Sequence, residues 1–264
     1  MIVLNALAAT APIGDADLER RFGALDRLYG VAAARRIRQA HVVVVGIGGV
    51  GSWSAEALAR SGVGHLTLID MDHVAESNIN RQVHALQATL GQAKVVAMRE
   101  RIAQINPACV VDGVEEFVDA DNWAALLPAG ANAVIDACDQ VKAKTAMAAW
   151  ARRGGTVFIA VGAAGGKRLA HRVEIDDLSL ATHDPLLAQV RNRLRKEHGA
   201  PREGKKIGVA CVFSREPVAP VDASCDLASD GSLNCHGYGS VVTVTATFGQ
   251  CAAGWVMDEL ATRS

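Results

Sequence analysis

Residues 42–72 read VVVVGIGGVGSWSAEALARSGVGHLTLIDMD. Val42 to Val45 form an unbroken β-branched run, the pattern of a strand buried on both faces. Gly46, Gly48, Gly49 and Gly51 follow at once. Ser52 to Arg60 then reads as a helix, and His65 to Ile69 as a second strand. This is one βαβ unit. Its glycines permit a tight turn and bring backbone N–H groups close to a phosphate, and the helix amino terminus adds partial positive charge. Asp70, at the end of the second strand, can accept hydrogen bonds from a ribose hydroxyl. The stretch alone suits NAD, FAD or ATP equally, so the choice of nucleotide must come from elsewhere in the chain.

Alternation of the same kind continues outward. The first forty residues read as helical, with basic patches at ERR (19–21) and RRIR (35–38). After the βαβ unit comes an irregular polar stretch, HVAESNINRQVHA. A helix is expected from about Gln92 to Ile105, stopped by Asn106 and Pro107. CVVDGVEEF reads as a third strand and Asp121 to Leu127 as a short helix, with Asp119 or Asp121 near its cap. AVIDACD is a fourth strand, Val141 to Arg152 a helix, and TVFIAVGAAGG a fifth strand with a glycine-rich exit. Beyond Gly166, HRVEI and IGVACVFS read as strands around a basic helix, Pro185 to His198. A long polar loop follows. The expectation is an α/β fold: a doubly wound, mostly parallel Rossmann-like sheet with helices on both faces and a C-terminal elaboration. It is expected as one domain over 1–264, with a helical segment 1–40, a nucleotide-binding core 41–166 and a C-terminal substrate or dimer region 167–264.

Composition narrows the class. The 264 residues are 50% hydrophobic and carry a formal net charge of -1, so a nucleic-acid partner would have to be met by a local patch. The six cysteines form no C-x-x-C pair, and Met1 to Ala11 lacks a basic signal-peptide start. The expectation is a reduced, cytoplasmic protein with free thiols and no structural zinc. Residues 239–257, GSVVTVTATFGQCAAGWVM, are uncharged and close to the length of a membrane span. They read either as a buried core helix or as a peripheral membrane contact.

The nucleotide is decided by groups after the second and fourth strands. A triphosphate is strongly anionic, and transfer at its α-phosphate calls for cations and a magnesium ion. Asp72 follows Asp70. Asn78, Asn80 and Arg81 fall in the next loop, and Lys94 near the start of the following helix. Asp136 and Asp139 lie at the carboxyl end of the fourth strand. In doubly wound sheets the ligand crevice lies outside those strand ends. Taken singly, Arg81 and Lys94 also read as surface cations and Asp139 as a helix cap; taken together they converge on one crevice.

The succession GxGGVGS, LIDMD, SNINRQ, GxxK and DxxD, over roughly Arg21 to Gly166, resembles the ubiquitin-activating-enzyme-like (ThiF/MoeB/HesA) adenylating superfamily. The resemblance implies ATP as the nucleotide and a homodimer. It implies an ATP site of Gly46, Gly48, Gly49, Gly51, Asp70, Asp72, Ser77, Asn78, Asn80, Arg81, Lys94 and Asp139. Within it, Asp70 binds the ribose, Ser77 to Arg81 and Lys94 surround the phosphates, and Asp139 holds magnesium. Arg81, Lys94 and Asp139 are the implied catalytic set. Relatives bring a partner subunit's arginine to the phosphates from a position that aligns with Ala24; Arg21 and Arg27 are the nearby substitutes.

The absent C-x-x-C pairs disfavour the branch that activates the Gly-Gly terminus of a ubiquitin-like sulfur carrier, which remains the alternative. RRFGALDRLYG, NRQVHAL, RIAQINP, GAAGG, DPL, CVFS and GYGSVVTVTATFG make the chain similar, from about Arg20 onward, to the branch that modifies tRNA. That resemblance implies ATP-dependent closure of the threonylcarbamoyl side chain on adenosine 37, in the anticodon loop, into a ring. The side-chain carboxylate is activated first, and a nitrogen of the same side chain attacks next. For tRNA, Arg191, Arg195 and Lys196 on the basic helix are the expected contacts, with Arg193, Arg202, Lys205 and Lys206 nearby and Arg35, Arg36 and Arg38 as a second cluster. Phe213, His236 and Tyr238 are candidate stacking groups. Cys235 beside His236 leaves open a sulfur-transfer role with a cysteine desulfurase partner.

Overall fold

The computed structural model describes residues 16–202, 204–220 and 238–263. Three short helices, α1 (Leu18–Phe22), α2 (Ala24–Tyr29) and α3 (Val31–Gln39), lead into β1 (His41–Val45). Then come α4 (Gly51–Arg60), β2 (His65–Ile69), α5 (Lys94–Ile105), β3 (Val110–Val114), α6 (Trp123–Leu126), β4 (Ala133–Asp136), α7 (Val141–Ala151) and β5 (Val157–Val161). The chain continues through β6 (Val173–Asp177), α8 (Pro185–Glu197), β7 (Ala210–Ser214) and α9 (Val242–Thr262). The elements expected within the described residues are present, with ends trimmed or shifted: the sixth strand, read as HRVEI, runs from Val173 to Asp177; the helical reading of residues 1–15 and residues 221–237 of the expected polar loop lie outside the described residues. Cys109 and residues 115–117 fall outside the third strand, and the helix expected from Gln92 begins at Lys94.

One seven-stranded sheet runs in the order β3-β2-β1-β4-β5-β7-β6. Every pair is parallel except β6 against β7. The order reverses between β1 and β4, so a crevice opens outside their carboxyl ends. Both faces are covered, as the unbroken valine run requires. Val42 and Val44 join one core with α3, α4, α5 and α9, while Val43 and Val45 join a second with α6, α7 and α8. Each such side chain taken fully out of water contributes about 1.5–3 kcal/mol.

The uncharged 239–257 stretch is part of a core helix. In α9, Val244, Phe248, Ala252, Ala253 and Val256 are fully buried, and the helix packs on α4, α3 and the sheet. No described helix is long and apolar enough to cross a membrane. Of the two readings of this stretch, the buried core helix is the one the fold shows.

Two glycines set how closely these parts approach. A Cβ on Gly51 would sit 1.8 Å from the Gly46 carbonyl oxygen, so the turn closes only without a side chain there. A Cβ on Gly249 would meet the Val50 carbonyl at 2.5 Å and Trp53 Cβ at 2.9 Å. Ser54 Oγ donates to the Gly249 carbonyl at 3.0 Å, fixing α9 directly against the start of α4. Gly249→Ala should therefore destabilise the protein. Alanine recovers about 1 kcal/mol of helix propensity, but forcing a methyl against main chain costs about 1–3 kcal/mol. A lowered midpoint in thermal unfolding, with weakened ATP binding, is the expected result; an unchanged midpoint would refute the contact's importance.

Candidate active site

A cleft of about 220 Å³ opens at the topological switch. Its walls include Gly46, Gly48 and Gly49 from the turn, Asp70 and Asp72 after β2, and Arg81, Gln82 and Lys94 beyond. Glu116 to Val118, Ala137 to Gln140, Gly162 to Gly165, Ser240 and Thr245 complete it. Position 48 has open space where a Cβ would be, as suits a backbone that a ligand must approach.

Asp70 ties the turn to the second strand. One carboxylate oxygen accepts from the Ile47 N–H at 2.6 Å, the other from the Asp72 N–H at 2.8 Å. Burial pushes its pKa up, against the opposing pull of Lys94 and these two backbone donors. Lys94 is almost wholly buried; its Nζ lies 2.6 Å from Asp72 and 3.9 Å from Asp70. The cation is thus already held beside the cleft, shared by two carboxylates.

Arg81 is placed through its own backbone. Its carbonyl accepts from Trp53 Nε1 at 3.0 Å and from Thr245 Oγ1 at 3.4 Å, so α4 and α9 both anchor it. One guanidinium nitrogen donates to the Ser77 carbonyl and to Asn80 Oδ1. Among the described residues no carboxylate pairs with Arg81, which leaves its charge available to an anion. Asp139 also lines the cleft and is exposed, without a hydrogen-bonded partner among the described residues.

Other expected site residues support this cleft from behind. Gly51 lies under the turn. Asn78 is buried and accepts from the Ala75 N–H at 3.1 Å; Asn80 Nδ2 donates to the Ser240 carbonyl at 3.0 Å. Ser77, Asn78 and Asn80 are not on the walls. Asp136 does not enter the crevice either: it is fully buried and ion-paired with the fully buried Lys144 at 2.8 Å. Lys144 Nζ also donates to the Asp136 carbonyl at 3.0 Å, clamping the end of β4 to α7. Burial and the adjacent Asp136 push the Cys138 thiol well above its usual pKa.

Gln82 and Thr245 line the cleft and were not singled out by sequence. Gln82 is buried with no hydrogen-bond partner for its Oε1 among the described residues. Its signal was its place next to Arg81; Thr245 gave none, being more than 160 residues from its contact with Arg81. A larger cleft, about 630 Å³, lies around Arg21, Phe22, His84 and Arg101. None of its lining comes from the glycine turn or the strand ends, so size does not locate the nucleotide site. Arg21 lines that second cleft and donates to the Ile105 carbonyl at 2.8 Å; Arg27 is exposed.

The basic surfaces are partly committed. Arg191 donates to the Leu178 and Ala181 carbonyls and Arg195 to the Pro201 carbonyl, bracing α8, whereas Lys196 is exposed. Arg202, Lys205 and Lys206 are exposed as well. Arg38 pairs with Asp26 at 2.7 Å and Arg36 donates to the Ala261 carbonyl, leaving Arg35 free among the described residues. Phe213 is fully buried in the core and is not a stacking group; Tyr238 is exposed. Cys235 and His236 lie outside the described residues.

Known proteins resemble this chain over nearly its whole length. The ThiF family profile matches residues 21–262. The tRNA threonylcarbamoyladenosine dehydratase of Haemophilus influenzae is 43% identical over 244 residues, 92% of this chain and 94% of its own. The crystal structure of the Escherichia coli tRNA N6-threonylcarbamoyladenosine dehydratase in complex with ATP superposes with a TM-score of 0.83 at 42% identity, covering 95% of this chain and 97% of that one. Its complex with AMP gives 0.84 over the same shares. With the family profile spanning residues 21–262 and relatives above 40% identity along nearly their whole length, the chain belongs to the ThiF family.

Proposed function

We propose that this protein is an ATP-dependent dehydratase that closes the threonylcarbamoyl side chain of adenosine 37 in tRNA into a ring. What carries the reading is the cleft itself, lined by Arg81 and Asp139 with neither ion-paired among the described residues, in a chain that matches dehydratases along nearly its whole length. A carboxylate resists attack because oxide is a poor leaving group. Its oxygen therefore displaces pyrophosphate from the α-phosphorus of ATP, giving an acyl adenylate. A nitrogen of the same side chain then attacks the carbonyl, loses its proton and expels AMP. The oxygen lost as water overall leaves on AMP, and tethering of the nitrogen supplies the proximity advantage.

Each residue has a task in this scheme. Gly48 and its neighbours let main-chain N–H groups approach the phosphates. Asp70 holds the turn through Ile47 and keeps lone pairs for the ribose. Arg81 and Lys94 stabilise charge developing on the phosphates. The exposed, unpaired carboxylate of Asp139 fits magnesium, which favours one or two carboxylates together with substrate phosphates. When bound there, magnesium supplies neutralising charge at the triphosphate. Arg191 and Arg195 position α8, while Lys196, Arg202, Lys205 and Lys206 form the proposed tRNA phosphate contacts. A homodimer is supported by the family resemblance and by exposed Leu28 and Val31. Action on tRNA supports a cytoplasmic location. Sulfur transfer through Cys235 is a secondary reading that rests on its neighbour His236 alone.

The central test is mass spectrometry of tRNA nucleosides after incubation with protein, ATP and magnesium. Loss of one water from threonylcarbamoyladenosine is expected, with release of AMP and pyrophosphate. Pyrophosphate release that instead requires a ubiquitin-like protein ending in Gly-Gly would favour the sulfur-carrier adenylyltransferase reading.

Arg81→Ala should lower kcat by about 10²–10³, the usual cost of removing one preorganised charge donor, with unfolding unchanged. Asp139→Asn should abolish closure at ordinary magnesium while the protein stays folded. Full activity in either folded variant would remove that residue from the catalytic set.

Reversing the charges of Lys196, Arg202, Lys205 and Lys206 should raise KM for tRNA and leave ATP affinity intact. Each lost phosphate contact should also flatten the plot of log affinity against log salt by about 0.7–0.9. An unchanged salt slope would move the tRNA surface elsewhere.

A further inference from the structure

The amino ends of β1 and β2 and the middle of β3 carry a polar cluster that the nucleotide site does not use. His41 and His65 are direct partners in the parallel register of β1 and β2. Their rings stack with centroids 3.5 Å apart and planes 5° from parallel. Asp112 on β3 is the partner of Thr67, two residues beyond His65 on the same face. His65 Nε2 lies 2.7 Å from Asp112 Oδ2, and His41 Nε2 lies 2.8 Å from Thr67 Oγ1. One nitrogen from each imidazole and one Asp112 oxygen all lie within 4.8 Å of one another.

This is a metal-ligand set by chemistry. Neutral imidazole nitrogens beside a carboxylate suit zinc and its neighbours in the first transition series. Thr67, outside the ligand set, holds the His41 ring through Nε2, the kind of contact that orients ligating histidines.

We propose that His41, His65 and Asp112 form a binding site for one divalent transition-metal ion, with zinc as its representative and water in the remaining position. The ligands come from three neighbouring strands whose register is already set by main-chain hydrogen bonds. The ion clips those strands together. Binding opens the ring stack and draws the ligand atoms in to the bond lengths of about 2.0–2.2 Å that zinc requires. That rearrangement limits affinity, so exchangeable binding is expected. The strands are five residues long, which at about 3.3 Å per residue sets the cluster roughly 15 Å from the nucleotide cleft. The site is therefore independent of the reading of that cleft.

The test uses tag-free, chelator-treated full-length protein. Calorimetric titration with zinc should show one saturable site, and cobalt(II) should give the visible absorption of a four-coordinate complex. His41→Ala and His65→Ala should each weaken zinc binding more than about tenfold, and Asp112→Asn should weaken it to a lesser degree. Zinc should raise the melting temperature of the wild type but not of His65→Ala, without changing ATP affinity. Should an alanine variant fail to fold, His65→Gln serves in its place. Absence of saturable binding, or binding undiminished in both histidine variants, overturns the proposal.

Discussion

The contact between Gly249 and the start of α4 governs both the packing and the site. Hydrogen alone at that position lets α9 lie against Val50 and Trp53. Several consequences follow from this one approach. Ser54 reaches the Gly249 carbonyl, Thr245 reaches the Arg81 carbonyl, and a Cβ added at Gly49 would fall 3.2 Å from the Thr245 methyl. The helix that fills one core therefore also forms a wall of the nucleotide cleft. Packing and chemistry share the same residues, so a change in one propagates to the other.

Charge around the cleft is arranged in two tiers. The inner tier is buried and paired: Lys144 with Asp136, at full burial, holds the end of β4 to α7. Such a pair contributes little net stability against an apolar replacement, but breaking it strands a charge and costs several kcal/mol. The outer tier is shared or open: Lys94 between Asp70 and Asp72, Arg81 with no acid, Asp139 with no base among the described residues. A strongly anionic ligand can recruit the open charges without first breaking a strong pair. The division separates groups that fix geometry from groups that meet substrate.

Much of this was legible in the sequence, and the exceptions have identifiable causes. β1, β4 and β5 read clearly because strands buried on both faces are continuous apolar runs. The glycine turn, Asp70, Arg81, Lys94 and Asp139 were found because strand ends and one crossover bring them together. Asp136 was misplaced because neighbouring acids at a strand end look alike until the strand's alternation assigns each a side. Lys144 and Lys167 were invisible, since a lysine in a helix or loop reads as solvated; Lys167 instead donates to the His183, Ser214 and Glu216 carbonyls. The uncharged C-terminal segment read as either a core helix or a membrane contact, because length and hydropathy do not distinguish lipid from a protein core. Thr245 was missed because no local pattern encodes a contact across most of the chain.

The position of α9 in chain order has a consequence for biosynthesis. The glycine turn, β2 and Lys94 all emerge in the first half of translation, but the wall carrying Ser240 and Thr245 comes last. A nascent chain therefore exposes the apolar faces of α4, β5 and β7 that α9 will cover. Non-local closure of this kind folds slowly and leaves such surface open to aggregation or chaperone capture meanwhile. It also means that a chain not yet extended through α9 lacks the part of the cleft wall that Ser240 and Thr245 supply.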